Sequence, residues 1–241
     1  MTDLSTPGEA LDQDGRSTLR VDAERNRDRI LFAARSLFAT EGLGVSMAAV
    51  AREAGVGKAT LSRRFATRAE LIDAVFADRM EAYADAVTDA LADPDPWHGF
   101  CGFIHAVCAM QASDRGFADV LTMAFPAADV LEARRDEAYE GFLEVVARAH
   151  GTGQLREDFT SEDLVILLMA NAGVIAATGD AAPGTWRRLV GHMLRSFAAD
   201  RAEVPPLPDA PERAPLYRAM VHFSGSGEHA ALPRAPHPSR S

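Results

Sequence analysis

The stretch Ser46-Met47-Ala48-Ala49-Val50-Ala51-Arg52-Glu53-Ala54-Gly55-Val56-Gly57-Lys58-Ala59-Thr60-Leu61-Ser62-Arg63-Arg64-Phe65 holds two helical patterns of barely two turns each, parted by a glycine. Ser46 is a good N-cap, and Met47, Val50, Ala51 and Ala54 share one face of the helix it opens. Gly55 ends that helix, and the next, about 58–65, keeps Leu61 and Phe65 inward. Helices this short do not hold alone in water, so their spacing must answer to another requirement. A helix-turn-helix supplies it. The small Ala51 lets the helices approach, Gly55 takes the left-handed conformation that other residues resist, and Val56 and Leu61 seal the angle. The outer face of the second short helix is then free to enter a DNA major groove.

Charge agrees with that placement. Arg52, Lys58, Arg63, Arg64 and Arg68 face one acid, Glu53, a local +4 in a chain of formal net charge −10. One cationic helix pair on an acidic protein is a directed electrostatic footprint rather than general stickiness. Lys58 is the only lysine in the chain.

Working outward, helical periodicity runs nearly everywhere, and period-2 strand patterns are absent. A first helix spans about 23–41, with Ile30, Ala34, Leu37, Phe38 and Glu41 in register, and Gly42 and Gly44 stop it. Thr67-Arg68-Ala69-Glu70 spells a capping box and launches a long fourth helix. Its inner face is Leu71, Ile72, Val75, Phe76, Met80, Tyr83, Val87 and Leu91, and Pro94 and Pro96 end it. Further helices are expected near 97–112, 114–123, 127–150, 161–178 and 184–200. The fold class is all-α: an N-terminal three-helix helix-turn-helix domain joined by a long helix to a C-terminal helical domain. The expected divisions are a flexible arm at 1–22, a DNA-binding domain at 23–76, a ligand-binding and dimerisation domain at 77–201, and a mobile tail at 202–241. The tail holds eight of the thirteen prolines. Inside it, Leu216, Tyr217, Met220, Val221 and Phe223 form an apolar island fit to dock as a helical turn or two.

The run from Arg25 to Val75, centred on Ala51 to Leu61 with Phe65 and the capped fourth helix, resembles the TetR family of bacterial transcriptional regulators. The resemblance implies that Ser46 holds a phosphate at a helix N-terminus, and that Lys58, Thr60 and Ser62 contact phosphate with Arg64 and Arg68 beside them. It places Gly57, Ala59 and Arg63 before the base edges, with Arg63 reading guanine. Two positions depart from the family. Ser62 stands where tyrosine is usual, and Arg64 where histidine or another aromatic is common. Backbone affinity is kept by hydroxyl and guanidinium, with changed geometry.

The same resemblance makes Trp97, Phe100, Phe103, Ile104, Met110, Phe117, Met123, Phe125 and Phe142 the lining of an apolar cavity for a small-molecule effector, with His105 or Asn171 as a polar hook. For any one of these residues a filled core is the simpler reading. Residues 164–178, which mix Leu164, Leu167, Leu168, Val174 and Ile175 with Ala170, Ala172, Gly173 and Ala176, and residues 186–197, with Trp186, Leu189, Val190, Met193 and Phe197, carry apolar surface that suggests a partner. By resemblance this is a twofold four-helix homodimer interface, which would set two reading helices about 34 Å apart on a near-palindromic site.

The expected function is therefore a dimeric, ligand-relieved repressor of transcription. An activator, a regulator without a ligand, and a helical small-molecule binder or enzyme with a vestigial helix-turn-helix remain alternatives. Gly55-Val56-Gly57-Lys58 fails the phosphate-loop pattern at Arg52 and Ala59. The seven histidines show no ligand spacing, so no metal or cofactor is expected. No nucleophile elbow or Ser/His/Asp order points to an enzyme. Cys101 and Cys108, seven apart, read as buried thiols or as a redox pair. The longest apolar stretch, Leu164 to Ala177, is interrupted by Asn171 and short of the ~18 residues of a bilayer span, so a cytoplasmic protein without a membrane partner is expected. Arg16, Arg20 and Arg25 in the N-terminal arm could reach a minor groove, or the arm could simply be disordered.

Overall fold

The computed structural model describes residues 9–122 and 128–200, together with 202–203, 205–209, 211–212, 214–216 and 218–219; side chains are described from Glu24 onward, that of Asp129 excepted. Nine α-helices occur among these residues: α1 (Glu9–Glu41), α2 (Met47–Glu53), α3 (Lys58–Arg64), α4 (Arg68–Ala92), α5 (Pro96–Ser113), α6 (Arg115–Thr122), α7 (Asp129–Gly151), α8 (Ser161–Thr178) and α9 (Thr185–Phe197). A short 3-10 turn follows α8 at Gly179–Ala181, and the only β pairing among described residues is an isolated bridge between Leu155 and Ala198. The chain is all-α, as its periodicity implies.

Helix α1 begins at Glu9 rather than near 23. Its first turns lack an apolar stripe, and only half of residues 9–22 are strong helix formers (Ala, Leu, Glu, Gln and Arg), so periodicity gave no sign of the segment. Residues 9–22, expected as a flexible arm, are thus helical in this structure.

Two units divide the chain: Met1–Asp85 with Ser113–Glu140, and Ala86–Ala112 with Gly141–Ser241. The first differs from the expected domain at 23–76 by taking in α6 and the start of α7. Phe38 of α1, Phe76 of α4 and Phe117 of α6 form the reason: their ring centroids follow one another at 6.1 and 6.2 Å. Gly116 lets α6 approach, since a Cβ there would meet Phe38 and Phe76 atoms at 2.9 Å. Asp119 accepts a hydrogen bond from the Leu43 N–H at 2.8 Å and holds the turn after α1. Phe117 therefore belongs to the core of the first unit, not to a cavity in the second. Met123 and Phe125 lie outside the described residues.

In the second unit, Trp97, Phe100, Phe159 and Phe197 make a chain of aromatic contacts at 5.5, 5.3 and 4.9 Å, and Phe103 stacks on Phe142 at 5.0 Å. Trp186, Val190, Leu194 and Phe197 of α9 are buried within the chain itself. That corrects the expectation that Trp186, Val190 and Phe197 face a partner: with Leu194 they form an i, i+4, i+8, i+11 register on one helix face, and the chain's own core takes it.

Part of the proline-rich segment is tied down rather than free. The Glu203 carbonyl accepts from Trp97 Nε1 at 2.8 Å, and that of Pro208 from Arg188 Nη1 at 2.6 Å. Gly191 of α9 leaves room for the strap, because a Cβ would meet Pro208 Cδ at 2.8 Å. Of the apolar island beyond it, Leu216 is in a helical turn, while Tyr217, Met220, Val221 and Phe223 lie outside the described residues.

Candidate nucleic-acid interface

Helix α2 starts where Ser46, in extended backbone, accepts the Ala49 N–H on its Oγ at 3.2 Å. It ends in a Schellman closure: the Gly55 N–H donates to Arg52 O at 3.1 Å and the Val56 N–H to Ala51 O at 3.0 Å. Gly55 has φ +62, the left-handed geometry its position demands. Val50, Ala51 and Ala54 of the first helix and Leu61 and Phe65 of the second are buried, and Val56 is half-buried. The chain breaks direction at position 55 and does not run through it as one rod.

A second cause fixes the turn. Arg29 of α1 donates through Nη2 to Ala54 O at 2.7 Å and Gly55 O at 3.1 Å, covering the carbonyls the helix end leaves open. Sequence reasoning missed Arg29. Its only signal was an arginine on the first helix of an otherwise ordinary charged face, and nothing local tied it to residue 55.

Helix α3 then stands with Gly57, Lys58, Ala59, Ser62, Arg63 and Arg64 exposed and Thr60 half-buried. Gly57 is its N-cap and supplies no side chain, so the first backbone N–H groups are left for an outside acceptor. The Arg63 guanidinium folds back along the helix, Nε donating to Ala59 O at 3.2 Å, an exposed contact that costs little to exchange. Ser46, exposed at the start of α2, completes the group. Eight of the nine residues expected to meet DNA thus lie exposed or half-exposed on α3 or at the α2 N-terminus.

Arg68 is placed differently. Its Nη1 donates to Val45 O at 2.5 Å, and its Cζ lies 6.0 Å from the Phe38 ring centroid. The guanidinium is engaged within the head, linking the start of α4 to the residue before Ser46. The capping box beside it forms with one shift: Thr67 Oγ1 accepts from Glu70 N–H at 3.1 Å, while Glu70 Oε2 accepts from Ala66 N–H at 2.8 Å rather than from Thr67.

The residues expected around an effector divide as well. Phe100, Phe103 and Phe142 are fully packed in the aromatic contacts described above. His105 is exposed against the Trp186 ring at 5.2 Å, and partial burial, with Arg187 nearby, lowers its pKa. Asn171 is fully buried. Its amide donates to Cys108 O at 3.3 Å and Gln111 Oε1 at 2.9 Å, while Gln111 Nε2 donates to Leu168 O at 3.2 Å. The Asn171 amide N–H groups are thus spent on two acceptors, and Asn171 Oδ1 is left buried with no hydrogen bond. Burial pushes the Cys101 and Cys108 thiols up to about 12, which favours the reading of inert, packed thiols over a redox pair. Among the described residues no cluster of His, Cys, Asp or Glu could hold a metal.

One helical stretch, Ser161–Ala181, is by length and composition apolar enough to cross a bilayer, contrary to the expectation from Leu164 to Ala177. Leu164, Leu167, Leu168 and Asn171 of that stretch are buried inside the protein. Its outer side carries Val165, Ile166 and Met169 at 42%, 59% and 53% exposure.

Comparison with known proteins bears on this arrangement. The family described as bacterial regulatory proteins, tetR family, matches residues 30–75, and the C-terminal domain described as transcriptional regulator SbtR-like matches residues 95–196. A TetR transcription regulatory protein from Mycobacterium vanbaalenii is 31% identical, over 75% of this chain and 99% of that one, with a TM-score of 0.41. A TetR transcriptional regulator from Streptomyces coelicolor is 27% identical over 72% of this chain and 99% of its own, with a TM-score of 0.45. NalD, the secondary repressor of the MexAB-OprM multidrug efflux pump in Pseudomonas aeruginosa, shares the fold at 21% identity and a TM-score of 0.52, over 74% of this chain and 98% of its own. No curated protein matches the chain.

Proposed function

The chain belongs to the TetR family of bacterial regulatory proteins, and on that premise we propose that it is a dimeric, cytoplasmic repressor that binds a near-palindromic operator and releases it when a small molecule binds. The observation that carries the DNA-binding part is the α2–α3 turn. A left-handed Gly55, closed by Arg29, holds α3 with Gly57, Lys58, Ala59, Thr60, Ser62, Arg63 and Arg64 at the surface. In this reading Lys58, Thr60, Ser62 and Arg64 take phosphates, as does Ser46 at the α2 N-terminus. Gly57 and Ala59 allow the backbone to approach base edges, and Arg63 exchanges its local bond for the O6 and N7 acceptors of a guanine. Arg68 acts as a positioning residue, through Val45, for the Ser46 cap.

The dimer uses the outer side of α8, where Val165, Ile166 and Met169 lie beside the small residues Ala170 and Gly173. For the effector, Asn171 is the favoured hook, since its buried Oδ1 lacks a donor. A neutral, mainly apolar molecule carrying an O–H or N–H would supply that donor; an anion would not, because an amide oxygen repels it. Release requires only ~1–3 kcal/mol of coupling between effector and operator.

Footprinting on the DNA upstream of the protein's own coding sequence tests the reading. A protected palindrome that is released by a small molecule supports it. A protected site indifferent to every small molecule leaves a regulator without an effector, and no protection overturns the DNA-binding role.

A further inference from the structure

Phe32 is the most exposed large apolar side chain among the described residues, at 78%. It stands on α1 opposite Ile30 and Ala34, which the core of the head buries completely. A single exposed apolar residue needs no explanation, but this one walls a groove. The groove is open, about 490 Å3 in volume, and its other lining residues are Asp28, Arg29, Ala33, Glu53, Ala54 and Gly55. Three of these are small, and the Arg29 guanidinium is spent on the Ala54 and Gly55 carbonyls at 2.7 and 3.1 Å. A ring standing beside a groove with small residues in its lining is complementary to a second copy of itself. About a twofold axis, each ring enters the groove of the other and the two rings stack.

Charge favours the same occupant. Asp28 and Glu53 are exposed at the groove, so a phosphate backbone is repelled from it. A twofold axis at Phe32 runs the two α1 helices antiparallel, and residues before position 32 then meet residues after it. At ~100° per residue, Asp28 and Arg35 lie within about 20° of each other on one flank of Phe32, four residues before it and three after. Asp28 of each molecule therefore lies over Arg35 of the other, and Arg29, on the opposite flank, lies over Ser36. The Arg35 side chain is 51% exposed and makes a surface ion pair with Asp78 at 3.3 Å, which leaves it open to a second carboxylate.

Size decides where the contact acts. Two phenyl rings bury roughly 300–500 Å2 between them, far short of the ~1,200 Å2 of a stable interface, so free molecules do not stay together through it. Two molecules side by side on one duplex see each other at an effective concentration of about millimolar, where a weak contact is populated. Ala54 and Gly55 of the α2–α3 turn line the groove, so it lies on the head, the part that neighbours on a duplex bring together.

We propose that Phe32 and its groove form a head-to-head contact between molecules bound at neighbouring sites on one duplex, with Asp28 of each facing Arg35 of the other, so that DNA is occupied cooperatively. The inference rests on the DNA-binding role of α3 proposed above and adds to it a dependence on how sites are spaced.

The test uses the full chain at low salt and two duplexes of arbitrary sequence, one that holds a single dimer and one that holds several. Wild-type protein is expected to fill the long duplex cooperatively, each neighbour raising affinity by about tenfold. Phe32→Ala is expected to bind the short duplex as the wild type does and to fill the long one without cooperativity, while Phe32→Tyr keeps it. Asp28→Arg is expected to lower cooperativity, and Asp28→Arg/Arg35→Asp to restore it. Non-cooperative filling by the wild type, a Phe32→Ala variant as cooperative as the wild type, or a charge swap that restores nothing overturns the contact and leaves the role of α3 standing. Absence of wild-type binding to the short duplex overturns the role of α3 and the contact with it.

Discussion

At the scale of the residue, two arginines that look alike in the sequence do different work. Arg63 sits on exposed α3 with only a local bond to Ala59 O, so it is free to exchange partners. Arg63→Ala is expected to cost ~1–3 kcal/mol of operator affinity and to relax one base position, measured by titration against single-position operator variants. Arg68 is already spent on Val45 O and the Phe38 ring. Arg68→Ala should therefore lower the stability of the head by about 1–3 kcal/mol in denaturant unfolding, while the salt slope of DNA binding stays close to that of the wild type. The two thiols give a third prediction. Burial raises Cys101, with Asp95 adding to the effect, and burial alone raises Cys108, from 9.0 to about 12. Above about pH 9 the unfolded chain sheds thiol protons that the folded chain keeps, so stability falls as pH rises toward 12. Denaturant midpoints at about pH 8 and about pH 10 should show that decline, and a thiol reagent at neutral pH should react only on unfolding.

At the scale of the element, α5 and α8 are joined by an amide pair whose accounts do not close. Asn171 spends its N–H groups on Gln111 Oε1 and the Cys108 carbonyl, Gln111 donates to the Leu168 carbonyl, and Asn171 Oδ1 has no donor. Replacing one member strands the other. Asn171→Leu leaves Gln111 Oε1 without its donor and should cost about 1–3 kcal/mol, whereas Gln111→Leu/Asn171→Leu should recover much of that loss. Thermal unfolding of the single and double variants reads the cycle directly. The proline-rich strap works by another route: it lies along α9 because Gly191 has no side chain, and two carbonyls, of Glu203 and Pro208, receive otherwise unused donors of Trp97 and Arg188. Proline content argues against a regular helix there, but it does not prevent extended chain from docking.

At the scale of the whole molecule, the dimer proposed above rests on the exposed apolar side chains of α8. Val165, Ile166 and Met169 face outward while the opposite side of the same helix fills the core. Ile166→Asp is expected to shift the protein from dimer to monomer in light scattering at micromolar concentration and to abolish tight operator binding, because two half-sites are no longer held together. Circular dichroism should remain that of the folded chain. A dimer that survives the substitution would place the interface elsewhere.

The local code of the head was legible before any tertiary structure. Ser46 as a cap, Gly55 as a left-handed turn, Leu61 and Phe65 as inward residues and the Thr67-Glu70 box depend on neighbours within a few residues, and short-range backbone sterics leave few alternatives. The helices from α5 to α9 were legible for the same reason, since their 3.6-residue periodicity is written along the chain. What periodicity does not say is which partner an apolar face will choose. Trp186, Val190 and Phe197 show the same pattern whether they meet a second copy or their own core, and only packing assigned them to the core. Arg29 and Arg68 became structural because distant carbonyls, Ala54 and Gly55 for one and Val45 for the other, came within reach. Phe117 joined the first unit through Phe76, forty-one positions away in sequence. By itself the sequence determined an all-α chain with a cationic helix-turn-helix, because caps, turns and periodicity are short-range. Only the tertiary structure decided which arginines are free for a ligand and which apolar faces remain open, because both depend on contacts between residues far apart along the chain.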